Sequence, residues 1–179
     1  MVDFTGVLLT GGVSRRMGQD KLLIGIAGQP LWQQSHTALS ATCRSILIAG
    51  NRADLTSKDV PCFADTFPGT ALGGLHNGLT HSETDWITLL PGDLPWPSST
   101  LLRSLQEKCS DSYDAIIPRT VLGREPLIAC YHRKILPQVT ARLQRGEVKI
   151  LDLLDELNVC YLEDTELPPG WRRSLRNIN

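Results

Sequence analysis

Residues 6–21 read GVLLTGGVSRRMGQDK, and this stretch decides the fold. An apolar run from residue 6 to residue 9 leads directly into a loop with three glycines, two arginines and a lysine. Paired glycines let the backbone approach an anion closely, and cationic side chains neutralise its charge. The stretch therefore predicts a strand followed by a phosphate-binding loop.

Two common phosphate-binding motifs are excluded by the spacing of this loop. No Gly-Lys-[Ser/Thr] ends it, as in a P-loop, and it lacks the G-x-G-x-x-G of dinucleotide-binding folds. The alternative interpretation is a glycine turn after an edge strand with solvated arginines. The full string from Leu9 to Lys21 favours phosphate binding over that alternative.

Beyond this stretch, short runs rich in Val, Ile and Leu alternate with segments of helical period. This alternation is typical of a mostly parallel sheet covered by helices on both faces, so we expect an α/β sandwich. The predicted strands are residues 6–9, 45–49, 62–64, 86–90, 115–118, 127–131 and 159–162. The predicted helices are residues 30–41, 72–80, 98–108, 134–144 and 149–157, with Ser98 or Ser99 as a cap and Gly146 as a break.

Length and charge limit the possible organisation and partners. A chain of 179 residues with 41% hydrophobic and 21% charged residues is the size and composition of one globular domain. We expect a single domain over residues 1–179. The formal net charge of -1 gives no global field that attracts nucleic acid or an anionic membrane, so we expect neither as a partner.

The five cysteines are scattered along the chain and odd in number, which favours neither a disulfide framework nor a metal clip. We expect buried, reduced thiols. No apolar run approaches the roughly 20 residues needed to span a bilayer, and Asp3 stands where a secretory signal is basic. The sequence predicts a soluble, cytoplasmic protein.

The opening string resembles L-x-G-G-x-S-x-R-M-G-x-D-K, the signature of a superfamily of nucleotidyltransferases. In detail it resembles the molybdenum cofactor guanylyltransferases, also called the molybdopterin-guanine dinucleotide biosynthesis protein A family, although Thr10 stands where alanine is commoner. The resemblance implies a Rossmann-like three-layer α/β/α sandwich of the nucleotide-diphospho-sugar transferase type. It also implies that Arg16 and Lys21 hold the nucleotide phosphates. The implied backbone contacts to the nucleotide are Leu9, Thr10, Gly11 and Gly12.

Two polar residues after predicted strands resemble further nucleotide-binding positions of this family. Asn51 follows the strand at residues 45–49, where members carry a nucleotide-contacting asparagine; a turn residue beside Gly50 is the alternative.

Asp65 begins a segment similar to D-x-x-x-G-P-L-x-G. A carboxylate accepts hydrogen bonds only, so Asp65 can pair with guanine N1–H and its exocyclic amine, which favours GTP. Thr70 and Ala71 depart from this pattern and leave the loop shape open, and Asp65 as a turn former is the alternative.

Asp93 lies in Pro91-Gly92-Asp93-Leu94-Pro95, directly after a largely apolar run. The segment resembles the [C/G]-D-x-P motif, in which the acid binds Mg²⁺. Magnesium prefers oxygen ligands and is held by one or two carboxylates together with substrate phosphates, so one aspartate at a strand end is enough. An aspartate after a strand is otherwise a common turn former.

The second half of the chain resembles the acceptor-binding half of the family. Arg119 and Arg124 are candidates for the acceptor's phosphate; solvated loop arginines are the alternative. The chain ends in a segment similar to the start of the family's terminal N-x-N-T-P motif, and the resemblance places Asn177 and Asn179 near the acceptor. Either a naturally short form or a truncated chain fits this ending. We expect a nucleotide-binding half over about residues 1–95 and an acceptor-binding half over about 96–179.

Together these features predict a Mg²⁺-dependent enzyme that transfers GMP from GTP to molybdopterin and releases pyrophosphate. The predicted catalytic residues are Arg16, Lys21 and Asp93. Molybdoenzymes would then receive the product. Two alternatives remain open: a cytidylyltransferase or other NTP transferase acting on a phosphorylated small molecule, and a catalytically silent nucleotide-binding regulator.

Overall fold

A computed structural model describes residues 2–11, 20–26, 28–56 and 60–175 of the chain. The strands in these ranges are β1 (Phe4–Leu9), β2 (Gly25–Ile26), β3 (Gln29–Pro30), β4 (Ser45–Ala49), β5 (Cys62–Phe63), β6 (Trp86–Pro91), β7 (Ala115–Thr120), β8 (Gly123–Arg124), β9 (Ala129–His132) and β10 (Val159–Glu163). The α-helices are α1 (Leu31–Ser40), α2 (Ala71–His81), α3 (Ser99–Gln106), α4 (Leu136–Gln144), α5 (Ile150–Leu154) and α6 (Trp171–Ser174). Short 3₁₀ helices span Lys21–Leu23, Ala53–Leu55 and Arg133–Ile135.

One sheet organises the described chain, in the order β10-β7-β9-β6-β1-β4-β5, with β8 paired to β7. Strand β1 is central and parallel to both neighbours, so that Leu9 pairs in register with Ala49 of β4 and Pro91 of β6. Strand β9 is antiparallel to β6 and β7. The mostly parallel sheet is confirmed, with β9 inserted against the general direction.

Helices cover both faces of the sheet and create two hydrophobic cores. On one face, α1, α3 and α6 contribute residues such as Leu39, Leu102 and Trp171. On the other face, α2, α4 and α5 contribute residues such as Leu75 and Leu143. The predicted three-layer α/β/α sandwich is therefore confirmed. Within the described ranges, no helix is long and apolar enough to cross a membrane.

The helix ends follow the predicted local signals. Ser98 caps α3, because its side chain accepts a hydrogen bond of 3.3 Å from the backbone N–H of Leu101. Gly146, with φ of 76°, follows α4 in the left-handed conformation that suits glycine. The expected strand at residues 127–131 begins later, at Ala129, because the backbone N–H of Ile128 bonds the Glu125 carbonyl and closes a turn instead of joining the sheet.

Helix α2 packs close to β1 because two of the residues that face this strand lack side chains. A Cβ at Gly74 would lie 2.5 Å from Leu9 Cδ2, and one at Gly78 would lie 2.7 Å from Val7 Cγ1, both well inside contact distance. The helix axis can therefore approach the sheet more closely than alanine would allow. This approach brings the first turn of α2 to the carboxyl end of β1.

Candidate nucleotide-binding site

A cleft of about 390 Å³ opens at the carboxyl ends of β1, β4 and β6. Open α/β sheets bind ligands at this edge, because the loops that follow parallel strands converge there. The first turn of α2 forms one wall. Six of the predicted site residues line this cleft: Leu9, Thr10, Gly11, Lys21, Asp65 and Asp93.

Other predicted residues lie elsewhere or outside the described ranges. Asn51 is exposed and does not line the cleft. Arg119 forms an ion pair with Glu163, and Arg124 forms one with Asp155. Neither arginine lines the cleft, so their binding of an acceptor phosphate stays a prediction. The predicted residues outside the described ranges are Gly12, Arg16, Asn177 and Asn179.

The loop after β1 is held against the end of β4 by Thr10. Its backbone N–H and its hydroxyl both donate to the Ala49 carbonyl, over 3.1 and 3.2 Å. Gly50 has φ of 137°, and a Cβ there would lie 2.6 Å from Thr10 Oγ1, so this position requires glycine. The backbone at Thr10 and Gly11 is thereby fixed at the cleft floor, where the N–H of Gly11 can meet an anion.

Arg52 lines the cleft and fixes the segment that carries Lys21. Its guanidinium forms ion pairs with Asp20 at 2.8 Å and with Asp54 at 2.7 Å. Asp20 also accepts a hydrogen bond from the backbone N–H of Leu22, so it caps the short helix that begins at Lys21. The hydrogen bond to Asp54 and the charge of Asp20 raise the pKa of Arg52 and keep it a permanent cation.

Sequence reasoning assigned Asn51 to the site and missed Arg52, its neighbour. The available signal was a cation two residues beyond Gly50, at the end of a buried strand. That signal does not reveal the partner, because Asp20 is distant in sequence and meets Arg52 only in the folded sheet.

Asp93 is held at the end of β6 by contacts of the two residues before it. The Ser35 hydroxyl donates to the Pro91 carbonyl over 2.7 Å, and the Gly92 N–H donates to the Leu9 carbonyl over 2.8 Å. A Cβ at Gly92 would lie 3.0 Å from Leu22 Cδ2, so a larger residue there requires Leu22 to shift.

The Asp93 carboxylate fits a hard divalent cation. It is half-buried, lines the cleft that Lys21 also lines, and has no hydrogen bond or ion pair to any residue in the described ranges. Those same ranges contain no group of three or more His, Cys, Asp or Glu that could hold a metal ion. A single carboxylate suits Mg²⁺ that takes its remaining ligands from substrate phosphates and water.

Asp65 lies just after β5 and faces the loop after β1. A Cβ at Gly11 would lie 3.5 Å from Asp65 Oδ2, so this oxygen lies beside the cleft floor. Its other oxygen, Oδ1, accepts a hydrogen bond of 2.7 Å from Asn77 of α2. The carboxylate therefore offers Oδ2 to a ligand in the cleft.

A second cleft of about 240 Å³ adjoins the first and shares Ala71, Pro91 and Leu127 with it. Most of its remaining lining is apolar and includes Leu175, at the end of the described chain. Glu125 also lines it, and burial raises the pKa of this carboxyl. Two ligand groups could therefore lie side by side, one in each cleft.

Comparison with known protein families gives a match over most of the chain. Residues 6–159 match the family model described as the MobA-like NTP transferase domain. This chain belongs to the MobA-like NTP transferase family. The matched range contains the last four residues of β1, the cleft and all the predicted nucleotide-site residues.

Curated relatives support this membership. The chain is 34% identical to the molybdenum cofactor guanylyltransferase of Vibrio cholerae over 93% of this chain and 84% of the relative. It is 36% identical to the protein of the same name from Vibrio parahaemolyticus, over 90% and 85% of the two chains. The crystal structure of molybdopterin-guanine dinucleotide biosynthesis protein A from Archaeoglobus fulgidus is 25% identical, with a TM-score of 0.84 and coverage of 98% of this chain and 92% of that one.

This MobA-like chain accommodates its departures from the family pattern with specific contacts. Thr70 caps α2, because its side chain accepts a hydrogen bond of 2.9 Å from the Gly73 N–H. Ala71 then occupies the first helical position. The loop after Asp65 therefore still leads into a helix whose first turn lines the cleft.

Proposed function

We propose that this chain transfers GMP from GTP to molybdopterin and releases pyrophosphate. In this reaction an oxygen of the acceptor's phosphate attacks the α-phosphorus of GTP, and the bond between that phosphorus and the oxygen bridging to the β-phosphorus breaks. The product is the guanine dinucleotide form of the cofactor. Family membership and the names of the curated relatives support the reaction class and both substrates.

The observation that carries the proposal is the placement of Lys21, Asp65 and Asp93 in one cleft that adjoins a second, mainly apolar one. A cation, an acceptor for base N–H groups and a carboxylate for a metal ion are the parts that nucleotidyl transfer needs. The neighbouring cleft offers room for an acceptor beside the α-phosphate. Proximity and electrostatic stabilisation are then the main catalytic contributions.

Within the first cleft, Lys21 would neutralise phosphate charge that increases in the transition state. The backbone N–H of Gly11 would contact the same phosphates. Asp93 would hold Mg²⁺, which withdraws electron density from the phosphate oxygens when it is bound. An acceptor phosphate is already anionic, so the attack needs no general base from the protein.

In the second cleft, we assign the acceptor's ring system to the apolar surface around Leu127 and Leu175. Glu125 has no hydrogen bond or ion pair from its carboxylate to any residue that the structure describes. A half-buried acceptor group without a partner suits a heterocycle that presents N–H donors. We further propose that molybdoenzymes receive the product and that the reaction is cytoplasmic, which agrees with five free cysteines.

The direct test is to incubate the purified protein with Mg²⁺, molybdopterin and GTP, and to measure pyrophosphate release and the dinucleotide product. Parallel reactions contain CTP or ATP, and a further reaction omits molybdopterin. We expect GTP to give product in strong preference to the other two nucleotides. More product from CTP than from GTP would support the cytidylyltransferase alternative, and absence of pyrophosphate with every nucleotide would support a silent nucleotide-binding regulator.

The base preference can be tested separately at Asp65. Guanine presents N1–H and an amine to a carboxylate, but adenine presents an acceptor at N1, so ATP leaves Asp65 unpaired. A mismatch of this kind costs roughly 1–3 kcal/mol, so we expect about a ten- to a hundredfold preference for GTP. Asp65→Ala should reduce this preference mainly by weakening GTP. A full preference retained by the variant would remove Asp65 from base recognition and leave the reaction class intact.

A further inference from the structure

The orientation of Asp65 is set by Asn77, a residue that no sequence motif singled out. Asn77 lies on α2 and is 2% exposed. Its Nδ2 donates two hydrogen bonds, one to Asp65 Oδ1 and one to the Phe63 carbonyl, each over 2.7 Å. Both amide protons of Asn77 are therefore donated to the segment from Phe63 to Asp65.

The direction of the Asn77 amide follows from its two partners. Both partners are acceptors, so a reversed amide would place its carbonyl oxygen against two other oxygens. In the observed direction, Asn77 Oδ1 has no hydrogen-bond partner in the described ranges. Among the described residues, the side chain thus leaves its own acceptor unsatisfied while it holds two acceptors of another segment.

The position of Asp65 explains why such a contact matters. Asp65 lies two residues beyond the end of β5, an edge strand of only two residues, so regular sheet pairing does not fix it. The bond from Asn77 holds Oδ1 towards α2. It leaves Oδ2 beside Gly11, at the floor of the first cleft.

We propose that Asn77 is a positioning residue for base recognition: it holds Asp65 with Oδ2 turned into the cleft, ready to accept N–H donors of the base. This inference rests on the proposed function, in which Asp65 contacts guanine. A preoriented acceptor gains affinity because it does not have to be ordered when the nucleotide binds. Asn77 touches no ligand in this account and acts through Asp65.

A purely structural role predicts a different behaviour for Asn77. In that case the bond to the Phe63 carbonyl would only complete the edge of the sheet. Loss of Asn77 would then lower stability and leave nucleotide discrimination unchanged. The ratio of GTP affinity to ATP affinity therefore separates positioning from structural support.

The test is Asn77→Leu, which keeps a buried side chain of similar size and removes both hydrogen bonds. We expect the KM for GTP to rise about tenfold, with kcat within about twofold, because Asp65 contacts the base equally in the ground and transition states. The KM for ATP should not change, so the GTP preference falls about tenfold. In an Asp65→Ala background, Asn77→Leu should cause no further loss of preference.

The matched control is Gln106→Leu, which makes the same change from an amide to leucine on α3. Gln106 donates to Thr88 over 2.9 Å and lines neither cleft. This variant should lose stability and keep the wild-type preference for GTP. If Asn77→Leu does not fold, Asn77→Ser replaces it, since the shorter hydroxyl can donate only one hydrogen bond and should also reduce the preference.

The two proposals fail in different ways. A wild-type protein that binds GTP no better than ATP overturns guanylyl transfer and, with it, the role of Asn77. A wild-type protein that prefers GTP, together with an Asn77→Leu variant that keeps the full preference, overturns only the role of Asn77. Equal losses of preference in Asn77→Leu and Gln106→Leu also overturn it, since the effect would then reflect general destabilisation.

Discussion

Arg173 stacks on Trp96, with its guanidinium carbon 3.9 Å from the ring centroid. Arg173 belongs to α6, and Trp96 lies on the loop that follows Asp93. Leu175, just beyond α6, lines the second cleft. This stacking therefore ties the C-terminal part of the described chain to the loop that carries the proposed metal ligand.

We expect Arg173→Ala to weaken acceptor binding more than nucleotide binding. The substitution removes a contact that holds the segment ending at Leu175, and Leu175 lines the second cleft. An exposed cation–π contact contributes about 0.5–1 kcal/mol, which corresponds to about a two- to fivefold rise in the KM for molybdopterin. The KM for GTP should stay within about twofold. Arg172→Ala is the control, because Arg172 lies over Trp171 instead; equal effects of the two variants would contradict a specific role for the Arg173 contact.

Asp93→Asn should lower turnover below about 1% of wild type and leave the fold intact. A neutral amide is a weak ligand for magnesium, and the lost electrostatic stabilisation is worth several kcal/mol. Pyrophosphate release measures turnover, and thermal unfolding checks the fold. GTP binding measured without metal should match the wild type. Near-normal turnover would remove Asp93 from the metal site.

Lys21→Ala should weaken GTP binding and turnover together, because one cation contacts the phosphates in both the ground and transition states. Loss of a charged hydrogen bond costs roughly 1.5–3 kcal/mol, or about ten- to a hundredfold. Lys108→Ala is the matched control, since Lys108 pairs with Glu166 at 3.7 Å and lines neither cleft. Changes within about twofold in both parameters would show that Lys21 does not hold the phosphates.

The thiol of Cys43 should react slowly with alkylating reagents. Burial raises its pKa to about 11, so the nucleophilic thiolate is scarce at pH 8. We expect alkylation about a hundredfold slower than in the unfolded chain, with acceleration as the pH rises towards 11. Mass spectrometry of timed samples gives the rate at each cysteine. Equal rates in the folded and the denatured protein at pH 8 would contradict this expectation.

The sequence predicted the elements that have a strong local signal. The largely apolar run of β6 and the capping serine of α3 are defined by neighbouring residues, and both elements begin and end within two residues of the expected positions. The two-residue strand β8 is too short to show any periodicity. The direction of β9 also escaped prediction, because a buried strand has the same apolar pattern whether it runs parallel or antiparallel.

The residues of the candidate site also differ in how clearly the sequence indicates them. Asp65, Asp93 and Lys21 could be named because each belongs to a motif with a fixed local spacing. Arg52 and Asn77 could not, since their roles depend on partners that only the folded sheet brings near. Asn77 and Asp65 lie 12 residues apart on different elements, and nothing in the intervening sequence indicates their hydrogen bond.

The close packing of α2 on β1 also determines how this region folds. Three of the eleven residues of α2 are glycines, and each lowers intrinsic helix stability by roughly 1 kcal/mol relative to alanine. Such a segment is too short and too weak to persist as an isolated helix in water. Its first turn, which lines the first cleft, therefore forms only together with the sheet, and local unfolding of either the helix or the sheet removes that cleft.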